Sequence, residues 1–443
     1  MTKIGFVSLG CAKNLVDTEV MLRLLYDAGY EIVPEDTEAE IIVVNTCGFI
    51  ESAKQESIDN VLDVAWLKKH GKLRGIIATG CLAERYRDEI FREMPEVDAV
   101  LGTGSYHEIA RAVEAVLRGE RFSSYLDKEA APLGGERCLT TPEHTAYLKI
   151  AEGCDNRCTY CAIPSIRGRM RSRKIEEIVA EAKELEALGV KELNLIAQDT
   201  SRYGLDIYGE YSLARLVREI TRETSIPWIR LLYSYPDKIT DELIAELRDN
   251  PRLLKYMDVP IQHISDRILT AMNRHGSSEL IRKTIEKLRR EVPGITLRST
   301  AIVGFPGETD ADFEELCAFI KEAEFERFGA FTYSPEEGTP AAELPDQLDE
   351  QTKQDRYDIL MQTQLSVAEE LGIRMVGKTL TVLCEGYDVV AETHYGRGEG
   401  DAPDVDGRIY FSSKKRIPAG SFVRVLITEA LDYDLVGEVT EED

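Results

Sequence analysis

The sequence predicts an α/β protein in three parts. These are an N-terminal open parallel α/β sheet, a central partial (β/α) barrel and a C-terminal small antiparallel β-barrel. Three observations predict this. Short Ile- and Val-rich runs alternate with helical periodicity over residues 1–118; six more strand–helix units fill residues 140–372; and from residue 373 the helical pattern gives way to short strands broken by Gly, Pro and Asp.

In the first part Lys3–Leu9, Glu40–Thr46 and Gly75–Thr79 read as buried parallel strands, with Ala99–Gly102 as a fourth. Helical patterns cover Val16–Gly29, Lys54–His70 and Tyr106–Arg118. Residues 119–144 lose periodicity and carry Pro132, Gly134, Gly135 and Pro142, which predicts a linker at 119–139 ahead of the central part. The next strands are Ala146–Ile150, Glu192–Ala197, Trp228–Tyr233, Leu254–Val259, Thr296–Val303 and Phe328–Tyr333. Six such units suit an incomplete parallel barrel with its working face at the strand C-termini. A long amphipathic helix, Gln351–Leu371, follows. Strands Thr379–Cys384, Val389–Thr393, Arg408–Phe411 and Phe422–Thr428 then predict the small barrel of residues 373–443.

With 43% apolar and 30% charged residues, the 443-residue chain can bury real cores and is no disordered tail. Lys plus Arg number 54 against 80 Asp plus Glu, a net charge of −26, which argues against a general polyanion binder and favours a basic partner. No run approaches the roughly 18 apolar residues of a membrane span. Lys3, the apolar run to Leu9 and then Gly10-Cys11 faintly imitate a lipoprotein signal, but the apolar stretch is too short, so a cytoplasmic protein is expected.

The nine cysteines carry the most information. Cys154, Cys158 and Cys161 are spaced by four and three residues, which a helical stripe would also allow. Gly153, Asp155, Asn156, Pro164 and Gly168 crowd the segment with turn residues, so a loop after the first barrel strand is expected. A structural zinc wants four closed ligands, and no fourth Cys or His stands nearby in sequence. Three soft thiolates in one loop suit three corners of an iron–sulfur cubane whose fourth iron stays open.

Cys11, Cys47 and Cys81 each follow an apolar strand directly, at separations of 36 and 34 residues, one strand–helix–strand unit each. Strand C-termini of a parallel sheet open on one edge, so these thiols converge on one crevice and predict a second three-thiolate cluster. Gly10, Gly48, Gly80 and Gly153 adjoin the candidate ligands, where backbone must approach an inorganic core closely. Simple packing of cysteines at strand ends is the bland alternative. Cys138, Cys317 and Cys384 have no partner at ligand spacing and read as structural.

The CxxxCxxC motif with Tyr160 before its last Cys resembles the radical S-adenosylmethionine superfamily. Both constellations together with a small terminal β-barrel resemble the methylthiotransferase family over essentially the whole chain. Ser8-Leu-Gly-Cys-Ala-Lys-Asn14-Leu-Val-Asp17-Thr-Glu19 looks like the branch that modifies an aspartate on a small-subunit ribosomal protein of the decoding centre. The tRNA-adenosine branch would show Gly-Cys-Gln-Met-Asn there and is the alternative. Gln198-Asp199, Tyr203-Gly204, Asp258–His263, Gly304–Thr309 and Asp401–Gly407 extend the resemblance to the ribosomal-protein branch.

The resemblance implies a radical S-adenosylmethionine core, a TRAM-like terminal barrel, two 4Fe-4S clusters and two S-adenosylmethionine molecules, one a methyl donor and one a radical source. Cys154, Cys158 and Cys161 would hold the radical-generating cluster, and Cys11, Cys47 and Cys81 the auxiliary one. The substrate aspartate's β-hydrogens are far too weakly acidic for a side-chain base tuned near neutral pH, which is why radical abstraction is needed. Tyr160 is expected near the adenine. Gln198, Gln262 and His263, at strand ends, are expected to contact cofactor or substrate. Gly304 and Gly307 either let backbone approach the cofactor ribose or form a plain turn. A flavodoxin or ferredoxin would supply electrons.

Residues 374–443 hold eight Lys or Arg against fourteen Asp or Glu, a net of −6, which suits docking on a basic protein better than on RNA. Arg167, Arg169, Arg171, Arg173 and Lys174 point the other way, toward an RNA contact, help for the cluster or an anionic substrate, or a solvated helix entry. An electron carrier would need four cysteines per cluster, and an RNA-binding module a basic, aromatic barrel face; the sequence offers neither.

Overall fold

A computed structural model describes residues 1–34 and 36–440. The first part contains β1 (Lys3–Ser8), α1 (Ala12–Asp27), β2 (Glu31–Ile32), β3 (Ile41–Thr46), α2 (Glu51–His70), β4 (Gly75–Gly80), α3 (Cys81–Tyr86), α4 (Glu89–Glu93), β5 (Ala99–Leu101), α5 (Ile109–Leu117) and β6 (Phe122–Ser124). Its six strands lie in the order β2-β1-β3-β4-β5-β6, all parallel. Strand alternation divides the core. Ile42, Val44, Ile76 and Ala78 face α2 through Val61, Val64 and Ala65, while Ile41, Val43 and Ile77 face α1 and α5 through Met21, Leu25, Ala112 and Val113. The short edge strands β2 and β6 go beyond the sequence expectation. Phe122–Ser124 lies in the segment read as linker; three residues are too few to show periodicity, and pairing with β5 makes them a strand.

The central part contains β7 (Thr145–Lys149), β8 (Ala151–Glu152), α6 (Ile163–Arg167), β9 (Arg171–Ser172), α7 (Ile175–Ala187), β10 (Glu192–Ile196), α8 (Leu205–Tyr208), α9 (Leu213–Glu223), β11 (Trp228–Leu231), α10 (Asp241–Asp249), β12 (Leu253–Asp258), α11 (Asp266–Ala271), α12 (Ser278–Glu291), β13 (Thr296–Val303), α13 (Asp310–Ala323), β14 (Arg327–Thr332) and α14 (Glu350–Ile373). Its sheet runs β14-β13-β12-β11-β10-β7, all parallel, with β7 and β14 as its two edges. The largest core cluster packs these strands against α7, α9, α12 and α13.

The third part contains β15 (Thr379–Asp388), β16 (Thr393–Gly398), β17 (Ile409–Ser412), β18 (Phe422–Leu431) and β19 (Asp434–Val439), closed as β15-β16-β17-β19-β18. Four pairings are antiparallel and β17 with β19 is parallel. Cys384 lies in its core with Val382, Phe411 and Val425, as a structural cysteine should. Val389–Thr393, expected as a strand, is mostly the turn between β15 and β16. Asp388 accepts from the Val390 and Ala391 N–H groups at 2.8 and 3.0 Å, and this side-chain capping turns the chain in spite of the β-branched valines.

The loop after β16 enters the lower mouth of the central sheet. Asp404 accepts from the Tyr147 hydroxyl at 3.0 Å, Asp406 from the Tyr256 hydroxyl at 2.6 Å, and Asp401 pairs with Arg327. Ala402 packs among Tyr147, Trp228, Leu254 and Tyr256, and Val16 of α1 belongs to the same cluster. Asp401–Gly407 therefore plugs the barrel from below. Beside it Glu192 is buried between Arg230, at 3.0 Å, and Arg397 of β16. A cavity of about 540 Å³ lies at this lower junction, lined by residues such as Lys255, Arg374, Lys378, Arg424 and Tyr433, away from the strand C-termini.

Candidate active site

Strand order explains why the first three cysteines gather. The chain leaves β1 toward β2 on one side and β3 toward β4 on the other, and such a switch point opens a crevice at the strand C-termini. Cys11 is the N-cap of α1 directly after β1, Cys47 follows β3, and Cys81 is the first residue of α3 after β4. Backbone space beside them is kept by glycine. A Cβ on Gly10, whose φ is +88°, would stand 2.9 Å from Cys47 Cβ and 3.0 Å from its Sγ. One on Gly48 would stand 2.8 Å from the Leu82 nitrogen, and one on Gly80 2.3 Å from Asn45 Oδ1.

The second set sits on the loop after β8. Gly153 takes φ +78°, and a Cβ there would meet the Arg169 carbonyl at 2.0 Å, so only glycine lets the loop fold back on itself. The Cys154 N–H donates to Gly168 O at 3.1 Å, Asn156 Nδ2 to Asp199 at 2.7 Å, and the Thr159 N–H to Met272 O at 3.0 Å. The segment is a loop as expected; its helix, α6, begins only at Ile163. Tyr235 lies 2.7 Å from Cys158 Sγ, with the Arg274 guanidinium stacked on its ring at 3.8 Å.

The two sets meet. Cys81 packs against Ala162 and Ile166, which follow Cys161 directly, and Thr103 Oγ1 donates to Ile166 O at 2.8 Å. Two ionic straps hold the first sheet across the barrel mouth. At the β14 edge Arg85 and Lys54 pair with Glu336 at 2.8 and 3.2 Å. At the β7 edge Asp17 of α1 is gripped by Lys149 at 2.5 Å and Arg167 at 2.6 Å, both of which also hold Glu152, at 2.9 and 3.2 Å. Arg167 further donates to Asn14 Oδ1 at 2.6 Å and to Cys81 Sγ at 3.5 Å. Burial would raise the Glu152 carboxyl, but Lys149 and Arg167 hold it well below the ordinary range.

Burial pushes the Cys81 thiol up to about 12 and Cys154 to about 11, and it raises Cys161 to about 12. For Cys11 desolvation is outweighed by the Lys13 ammonium and the Arg167 guanidinium, and the thiol falls below its ordinary value. Among the described residues no three Cys, His, Asp or Glu side chains are grouped to hold a single metal ion. Cubane ligands need no such convergence, since each thiolate takes its own iron. All six thiols are free, four of them stand beside glycine-cleared backbone, and they form two sets of three, a donor set that fits two cubanes.

The other expected contacts divide. Gln198, at the end of β10, donates to Glu152 at 2.6 Å, and its buried Oε1 has no donor, which leaves an acceptor for a ligand. Gln262 is half-buried with φ +69°, its backbone bridged to β13. Tyr160 packs among Ile268, Met272, Phe305 and Tyr333. His263 is fully enclosed: Nδ1 accepts from the Ser265 N–H at 3.0 Å, and Nε2 faces Glu308 at 3.4 Å without a hydrogen bond, so its ring supports the following loop. The space over Gly304 is taken by the Lys353 chain, 2.4 Å from where a Cβ would be, and Glu308 accepts its N–H. Gly307, at φ +76°, belongs to the same turn. Gly304 thus clears room for α14, whereas Gly307 has only Arg267 within 4 Å of where a Cβ would be.

The basic strip is largely internal. Arg167 and Arg173 are buried ion-pair partners and Arg171 donates to the carbonyls of Ala131 and Lys128 at 2.7 and 2.5 Å, which leaves Arg169 and Lys174 exposed. Lys149, Glu152 and Asp17 are the site residues that sequence reasoning did not assign; for Arg167, help for the cluster is one of the readings the sequence allows. The arginine spacing and Asp17 were visible, but only the fold pairs them.

Comparison with known proteins agrees with this geometry. Residues 148–320 match the radical SAM superfamily, 3–102 match Uncharacterized protein family UPF0004, and 376–440 match the TRAM domain. The chain is 47% identical over 443 residues to the ribosomal protein uS12 methylthiotransferase RimO of Thermoanaerobacter sp. (strain X514), covering 99% of this chain and 100% of that one. It is 49% identical to that of Pelotomaculum thermopropionicum, covering 98% and 99%. Among solved structures, the radical S-adenosylmethionine methyltransferase TsrM of Kitasatospora setae superposes with a TM-score of 0.56 at 14% identity, covering 86% of this chain and 77% of that one, a likeness of fold. The chain belongs to the radical SAM methylthiotransferases, in the family of the ribosomal protein uS12 enzymes.

Proposed function

We propose that this protein replaces a hydrogen on the β-carbon of an aspartate of ribosomal protein uS12 by a methylthio group, using two S-adenosylmethionine molecules. Cys154, Cys158 and Cys161 would hold one 4Fe-4S cluster and Cys11, Cys47 and Cys81 the other. When bound, these groups supply reductive cleavage of the sulfonium, hydrogen abstraction and a methylated sulfur for transfer. The chain's own contribution is juxtaposition: the packing of Cys81 on Ala162 and Ile166 is the observation that carries the reading. Gln198 offers a free acceptor and Gln262 stands at the mouth for cofactor or substrate. The electron donor is a flavodoxin- or ferredoxin-like protein, and the setting is the cytoplasm; no helix among the described residues is long and apolar enough to cross a membrane. The acidic small barrel would meet a basic protein partner.

Anaerobically reconstituted protein, S-adenosylmethionine and a one-electron reductant, given uS12 or tRNA, test this. A mass gain of one methylthio group on the uS12 aspartate is expected. A gain on tRNA alone overturns the protein-substrate reading in favour of the tRNA branch.

A further inference from the structure

Lys13 is the second residue of α1, two positions past Cys11, and only 7% exposed. Its Nζ lies 3.4 Å from the centroid of the Tyr233 ring, just beyond the C-terminal end of β11. It thus bridges the auxiliary cysteine edge and the barrel mouth. Among the described residues no Asp or Glu forms an ion pair with it. The carboxylates of the neighbouring network are already engaged: Asp17 by Lys149 and Arg167, Glu152 by the same two and by Gln198.

A buried ammonium without a carboxylate is costly, and an aromatic face offsets only part of that cost. Asp17 and Glu152 are both taken by Lys149 and Arg167, so Lys13 has no carboxylate of its own. Arg167 faces the thiol side through Cys81. Lys13 stands between Cys11 and the Tyr233 ring at the barrel mouth.

We infer that Lys13 is the substrate anchor: its ammonium pairs with the side-chain carboxylate of the aspartate whose β-carbon is modified. This rests on the functional reading above. The pairing would bring the substrate's negative charge to a buried ammonium that no carboxylate of this chain pairs, and the carbon next to that carboxylate would then lie between the two thiol sets. It would also reject an Asn at the target position, since an uncharged amide leaves the ammonium uncompensated.

The test is a binding and turnover cycle on reconstituted holoenzyme with two uS12 peptides, one carrying the target Asp and one carrying Asn there. Wild-type protein is expected to bind the Asp peptide roughly thirtyfold more tightly, the scale of a desolvated charge pair. Lys13→Met and Lys13→Gln should lose that preference, with a raised KM for the Asp peptide, and Lys13→Arg should keep most of it. The preference is a ratio within each variant, so it does not depend on how much of a variant folds. A purely structural lysine would leave the ratio unmoved. Wild-type protein that modifies the Asp peptide while Lys13→Met keeps full preference overturns the assignment alone. Wild-type protein that neither binds nor modifies the peptide overturns the functional reading and the assignment with it.

Discussion

Arg167 donates to the Cys81 thiol at 3.5 Å while its other amino group holds Asp17 of α1 at 2.6 Å. One side chain at the end of α6, the helix that follows the second cysteine set, therefore fixes both a thiol and the helix of the first set. This contact ties the two candidate cluster sites into one body.

Replacing Arg167 by Met should cost about 3 kcal/mol or more of stability, because Asp17 and Glu152 stay buried with Lys149 alone between them. Chemical denaturation of the iron-free protein measures it. A loss below about 1 kcal/mol would show that the network is solvated.

Triple substitution of Cys154, Cys158 and Cys161 by Ala should halve the bound iron from about eight to about four per chain, and the corresponding triple at Cys11, Cys47 and Cys81 should do the same. Iron and labile sulfide assays after anaerobic reconstitution decide this. A variant that keeps all its iron would remove those cysteines from the ligand set.

Two glycines with nearly equal φ separate backbone strain from site closure. Gly29 sits at φ +84° with nothing within 4 Å of a Cβ, so Gly29→Ala should cost only about 1 kcal/mol. Gly10→Ala carries the same strain and in addition pushes on Cys47, so it should also lower iron uptake at the first set. Equal iron content in the two variants would refute the close approach.

His394 in the small barrel accepts the Ile417 N–H through Nε2 at 3.1 Å, and burial together with Arg416 lowers its pKa. A lowered value favours the neutral ring in the folded state. Its contribution is complete above the unfolded value of about 6.5 and is lost as pH falls through the lowered one. Thermal melts between pH 7.5 and 5 should fall more steeply for wild type than for His394→Gln; parallel slopes would rule the histidine out.

The junction below the barrel depends on Glu192, fully buried between Arg230 and Arg397. Arg397→Met should destabilise by about 3 kcal/mol and expose the plug loop 399–407 to protease before the rest of the chain. Unchanged protection would mean that the loop holds through Asp401, Asp404 and Asp406 alone.

Much of this architecture was legible because it is local. Residues 41–44 and 76–78 are unbroken apolar runs inside strands buried on both faces, and such a run needs little else to declare itself. The cysteine sets were legible for a related reason, since ligand spacing in a loop and position after a strand are written along the chain. A strand-end position states where backbone goes and not what the side chain meets: Glu308 stands beside His263 and Lys353 over Gly304, 45 and 49 residues further on. Of the readings open to the arginine strip, support of the candidate cluster site is the one Arg167 takes at Cys81, and burial, which a charge count does not reveal, selects it.

The sequence alone determined the three-part α/β architecture and the two groups of three thiols, since hydrophobic period and residue spacing are properties of neighbouring residues. Only the tertiary structure decided that Arg167, Asp17, Lys149 and Glu152 neutralise one another under the first sheet, that the Asp401–Gly407 loop plugs the barrel, and that Lys13 is buried without a carboxylate partner. Pairing between residues more than a hundred positions apart leaves no trace in local pattern; desolvation and Coulomb attraction settle it once the chain has closed on itself.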